Sequence, residues 1–188
     1  MKKTIKMLLA AGLISAAVTS CSKDDEAPEV NDNEVITTVR VKAVATDNTK
    51  DTLTFNWKDA DGDGPGLPVI DPINLKAGKV YNVHILLLDE TKTPVDNVTE
   101  EVESEGHDHR FYFDPSGANI TVSDLDKDKN NVSLGLQSKW TTIATAASGT
   151  IKITLRHYPN GGKSETDLVN STKSSTDAEA VFPLNITL

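Results

Sequence analysis

The chain has 188 residues, 28 acidic against 19 basic side chains and a formal net charge of −9. That balance disfavours nucleic acid and anionic lipid headgroups as partners, since both present negative charge. The single cysteine excludes an intramolecular disulfide, so stability has to come from a buried core.

Met1 is followed by Lys2, Lys3 and Lys6, an apolar run from Met7 to Val18, and the small pair Thr19-Ser20. A positive start, a short apolar stretch and small residues at its end predict a secretory signal over 1–20. It is too short to span a bilayer, which takes about 20 apolar residues. Val18-Thr19-Ser20-Cys21 is similar to a relaxed bacterial lipobox. That resemblance implies acylation of the Cys21 thiol, which would become the first mature residue. Each buried methylene of the acyl chains contributes roughly 0.8 kcal/mol, so several chains anchor far more firmly than one. The membrane is then a partner through the lipid only. Loss of three lysines with the leader takes the net charge from −9 to −12. Residues 21–33 read as the lipidated cysteine and a flexible acidic tether without apolar periodicity. Cys21-Ser22-Lys23-Asp24-Asp25-Glu26 also resembles the lipoprotein export signal of Bacteroidota-type bacteria, which implies the outer face of the outer membrane. An ordinary solvated linker has the same composition, and the periplasmic face stays open.

From residue 34 to 188 the apolar residues alternate with period two, which predicts strands. Val39, Val41 and Ala43 mark a first strand near Val35 to Ala45, and Leu53, Phe55 and Trp57 a second. Tyr81, Val83, Ile85 and Leu87 mark a third, with Leu86 and Leu88 on its other face, as a central strand requires. Short strands follow at Phe111–Phe113 and Ile120–Val122. A longer one runs from Val132 to Trp140 and pairs, across an Ala147-Ser148-Gly149 turn, with Ile151, Ile153 and Leu155. Val181 to Leu188 closes the chain, with Pro183 indicating an edge or a bulge. Thr93 to Ser104 reads as a short helix, with Thr93 as cap, Pro94 in the first turn and Val95, Val98 and Val102 along one side. About eight strands and at most one short helix predict an all-β chain, a single immunoglobulin-like β-sandwich.

The chemistry concentrates in Glu105-Gly106-His107-Asp108-His109-Arg110-Phe111-Tyr112-Phe113, where two histidines follow an acidic run and precede an aromatic strand. By parity His157 shares the face of Ile151, Ile153 and Leu155. His109, His157, His107 and Glu105 are therefore the candidate ligands for a divalent metal ion, since imidazole and carboxylate suit zinc or a related ion. A satisfied structural role for the histidines is the alternative. His84, in a strongly apolar strand, reads as structural. Asp59, Asp61 and Asp63 stand at the first, third and fifth positions of a calcium-type loop with Gly64 at the sixth, but the twelfth position is Ile70. A glycine-rich loop explains the same residues. The alternating Asp124, Asp126 and Asp128 read as a solvated loop. Gly161-Gly162-Lys163-Ser164 lacks the earlier glycine of a phosphate-binding loop. Neither HExxH, GxSxG nor CxxC occurs, so no enzymatic activity is expected. Asp51-Thr52-Leu53 resembles the O-glycosylation site of Bacteroidota exported proteins, with Thr52 as acceptor.

Together, the lipobox, Asp-Gly-Asp-Gly-Pro after the second strand, Glu-Gly-x-x-His-x-Phe-Tyr-Phe and Leu-Arg-His-x-Pro-Asn look like a family of small Bacteroidota outer-membrane lipoproteins. These are often found beside TonB-dependent receptors and loosely labelled as having a type 1 periplasmic binding fold. The resemblance covers most of residues 34 to 188 and matches His109 and His157, whereas His107 stands where an acidic residue is usual. It implies a lipid-anchored binding protein of the outer membrane or cell surface that assists ligand or metal capture for a TonB-dependent receptor. A structural or adhesion surface module without a small-molecule site is the alternative. The label conflicts with the strand pattern, because a type 1 fold takes two α/β lobes and about double this length.

Overall fold

Residues 35–47, 52–61 and 65–188 are described by the computed structural model. The expected leader, Cys21, the tether and Asp63 lie outside them. In chain order the elements are β1 (Thr38–Ala45), β2 (Thr52–Lys58), β3 (Val69–Ile70), β4 (Ile73–Lys76), β5 (Val80–Leu88), helix α1 (Val98–Ser104), β6 (His109–Ser116), β7 (Ile120–Ser123), β8 (Gln137–Thr142), β9 (Ala147–His157) and β10 (Ser175–Thr187). One sheet has the order β3-β2-β1-β5-β8-β7 and the other β4-β10-β9-β6. All neighbours are antiparallel except β4 and β10. The all-β sandwich expected from the alternation is what the chain forms. The strand count exceeds the expected eight because the segments around Pro68 and Pro72 still contribute the short strands β3 and β4.

Alternation decides which side chains meet between the sheets. From β1, Val39, Val41 and Ala43 are buried, and from β9, Ile151, Ile153 and Leu155. Burial of such an aliphatic side chain contributes about 1.5–3 kcal/mol. Strand β5 is central as expected, lying between β1 and β8. Its outward His84 is exposed. Trp140 is fully buried on β8, and Phe113 meets it edge to face at 6.0 Å.

Three sequence expectations are corrected. The helix begins at Val98, not near Thr93, and the Thr93–Pro94 peptide is cis. Residues 132–136 form a loop before β8, and β9 pairs with β10 and β6 rather than with β8. Ala147-Ser148-Gly149 is therefore the start of a strand, not a turn, and the chain changes sheet between β8 and β9. The second correction has a steric mark. A Cβ at Gly149 would lie 2.0 Å from the Ser116 carbonyl oxygen and 2.3 Å from the Ala118 nitrogen, where the chain leaves β6 for β7. Gly117 at that corner has φ +79°, which favours glycine. Pro183 lies within β10, next to the point where β4 joins it at Leu184, and the bulge of β10 lies elsewhere, between Thr176 and Ala178.

Candidate metal centre

Three strand ends meet at one end of the smaller sheet: β6 begins at His109, β9 ends at His157, and β10 begins at Ser175. His109 and His157 are direct cross-strand partners, with ring centroids 4.8 Å apart. Both continue the core-facing rows of their strands, so parity on each strand brings the two imidazoles together. The third group comes from β10 through its bulge. Thr176 opposes Arg156 and Ala178 opposes Leu155, so Asp177 has no residue opposite it. In a regular strand Asp177 and Ala178 would face opposite sides of the sheet. The extra residue lets both turn inward, and the Asp177 side chain is only 3% exposed.

His109, 1% exposed at its side chain, places Nε2 3.7 Å from Asp177 Oδ2. Its Nδ1 lies 3.2 Å from the Glu105 carbonyl oxygen. A carbonyl only accepts, so it is an Nδ1–H that donates there, and Nε2 is the ring nitrogen on the carboxylate side. Neither Asp177 oxygen accepts a hydrogen bond. A buried carboxylate without a donor is relieved by a cation or a proton. Burial pushes the Asp177 carboxyl up to about 6, against the pull of His157 and Arg156. Burial first, then the neighbouring His157, holds the His109 imidazole down at about 4. At neutral pH the site therefore holds one buried negative charge and a neutral His109. One ligand atom from each of His109, His157 and Asp177 lies within 4.8 Å of the others.

The segment leading into β6 is held rigidly. Thr99 on α1 receives the Leu87 N–H and donates to the Leu87 carbonyl, which ties the helix to β5. After α1 the chain turns tightly, with Gly106 N–H bonded to Glu103 and Asp108 N–H to Glu105. Lys163 then clamps the turn. Its ammonium donates to the carbonyls of Gly106 at 2.5 Å and His109 at 2.7 Å, and pairs with Asp128 at 3.1 Å. Burial pulls the Lys163 amine down and the Asp128 carboxylate opposes this. Asp128 accepts the N–H groups of Asn130 and Val132, and Asp126 those of Gly135 and Gln137. The aspartate run expected to be solvated instead fixes the loop before β8.

Of the expected ligands, the structure brings His109 and His157 together and leaves the other two apart from them. Glu105 reaches His109 through its backbone oxygen, and its residue is exposed. His107 turns to Asp108, with Nε2 3.3 Å from Oδ2, while Asp108 also accepts the Gly161 N–H. Asp177 is the candidate ligand that sequence reading missed. The alternation Ala178, Ala180, Phe182 carries no parity information across a bulge, so only the register of β10 on β9 exposes it. At the ends of the expected calcium-type loop, whose residues 62–64 lie outside the described residues, Asp61 accepts the Gly66 N–H at 3.0 Å and Asp59 sits beside it. Thr52 is exposed at the start of β2, on the wall of a cleft of about 540 Å³. No helix of the described residues is long and apolar enough to cross a membrane. The chain matches no family model, no curated protein and no solved structure.

Proposed function

We propose that this chain is a lipid-anchored protein of the outer membrane or cell surface whose sandwich captures a small cationic ligand, serving a TonB-dependent receptor and catalysing no reaction. The anchor and the receptor rest on the lipobox-like Val18-Thr19-Ser20-Cys21 and on the resemblance of the later motifs. One observation carries the capture: the Asp177 side chain is buried, its carboxylate accepts no hydrogen bond, and it lies 3.7 Å from His109 Nε2. A buried carboxylate without a donor costs stability, and a bound cation recovers that cost.

The test is thermal unfolding of the non-lipidated Cys21→Ala chain against a panel of divalent metal salts and organic diamines. At a hundredfold excess over Kd a ligand adds about 2.7 kcal/mol, a rise in Tm of roughly 5–10 °C for a domain of this size. At least one cation should give that rise, and Asp177→Asn should abolish it. A panel that leaves Tm unmoved overturns capture and favours the structural or adhesion module.

A further inference from the structure

We propose that the captured cation is a zinc-type transition-metal ion, held by His109, His157 and Asp177, with one coordination position left open on the side of β9 and β10 for a donor from outside the chain. This inference rests on the cation-capture reading and names the ion and its exchange route.

The donor set selects the ion. Two imidazoles and one carboxylate suit zinc, cobalt or nickel. Calcium takes six to eight oxygens, and magnesium keeps an octahedron of oxygen and water, so one carboxylate is too few for either. The ligands also come from three adjacent strands, one from each, which fixes their spacing. Zinc bonds of about 2.0–2.2 Å put tetrahedral ligands about 3.4 Å apart. The ligand atoms now lie within 4.8 Å of one another, so rotation of the side chains is enough to close the set. His109 already has the outer partner that metal-bound histidines use, its Nδ1–H directed at the Glu105 carbonyl.

The open position follows from the count and from the burial. Among the described residues no further histidine, cysteine, aspartate or glutamate joins the three. Three protein ligands around a four-coordinate ion are the pattern of an exchanging centre, whereas structural centres close all four positions. His109 is buried, whereas His157 and Asp177 are both half-buried as residues. Solvent therefore reaches the ion from the side of β9 and β10. Among the described residues Asp177 is the one acidic ligand to balance the charge of a divalent ion, because both imidazoles are neutral when bound. The residual positive charge favours an anionic or strongly donating fourth ligand. Through that position a receiving partner can take the ion by stepwise ligand exchange, without unfolding of the sandwich.

Cobalt reports both halves of the inference. The Cys21→Ala chain loaded with Co2+ should show the visible bands of four-coordinate cobalt with nitrogen and oxygen ligands. One equivalent of Zn2+ should erase them, and excess Ca2+ or Mg2+ should not. Added imidazole should shift the bands as it replaces water at the open position. Asp177→Asn and His157→Gln should each weaken Co2+ binding by more than the roughly 10–100-fold that loss of an outer partner costs. His84→Ala should leave it unchanged. If imidazole leaves the spectrum untouched, the centre is closed and the exchange route is overturned. If Co2+ gives no bands while another cation still raises Tm, the ion assignment falls and capture stands. If no cation acts at all, both fall.

Discussion

In the proposed site Asp177 would serve at the expense of stability, and its titration makes that cost visible. Its folded value of about 6 lies above the ordinary 3.8. A raised carboxyl binds its proton more tightly in the folded state, so its contribution to folding is fully present below about pH 4 and is lost as pH rises through about 6. In metal-free protein at pH 7 that loss is on the order of 3 kcal/mol. Asp177→Asn should therefore stabilise the metal-free chain at pH 7 by up to that amount, with the advantage gone by pH 4. Urea unfolding in chelator at the two pH values checks this. A variant no more stable than the parent at pH 7 would mean that the carboxylate is solvated. His109 has the opposite sign. Its value is lowered from 6.5 to about 4, so its contribution is present above 6.5 and lost as pH falls through about 4. Between pH 4 and 6 the two residues therefore oppose each other, and the variant separates them.

At the level of elements, the bulge in β10 and the crossing at Gly149 place the site. The bulge supplies the carboxylate, and the crossing lets β9 lie beside β6 so that His157 opposes His109. Backbone is what a side chain at Gly149 would strike, since the nearest atoms are the Ser116 oxygen and the Ala118 nitrogen. Backbone cannot swing aside as a side-chain end can. Gly149→Ala should therefore destabilise by at least the 1–3 kcal/mol typical of overpacking. Gly162→Ala is the control, because its Cβ would meet only the Pro159 oxygen at 3.6 Å, and it should stay within about 0.5 kcal/mol of the parent. Equal denaturation midpoints for the two variants would show that the crossing is looser than its geometry.

At the scale of the whole molecule, the lipid is expected to do all the anchoring. Cys21→Ala should move the protein from the membrane fraction to the soluble fraction, because no helix of the described residues can substitute. Retention of that variant in membranes would refute the lipid anchor. Which face of the membrane the sandwich occupies depends on Lys23-Asp24-Asp25-Glu26. If these residues direct export, protease added to intact cells removes the parent domain and spares a variant with alanine at all four positions. Equal cleavage of both would leave those residues as linker.

The sequence by itself determined the fold class, because a two-residue period is a local property that each strand carries in its own side chains. Val39, Val41 and Ala43 needed no partner to declare a buried face, and the same parity put His157 on the face of Ile151, Ile153 and Leu155. Other features depended on contacts far apart in the chain. The expected pairing of β8 with β9 assumed that neighbours in sequence pair, and the change of sheet near Gly149 broke that assumption. Glu105 was chosen for its closeness in sequence to His109, yet its carboxylate is exposed. Asp177, 68 residues further along, became the third candidate ligand because one unmatched residue in β10 reversed its facing. Only the register of one strand on another fixes such a reversal, and register is decided by the tertiary packing of the sheet.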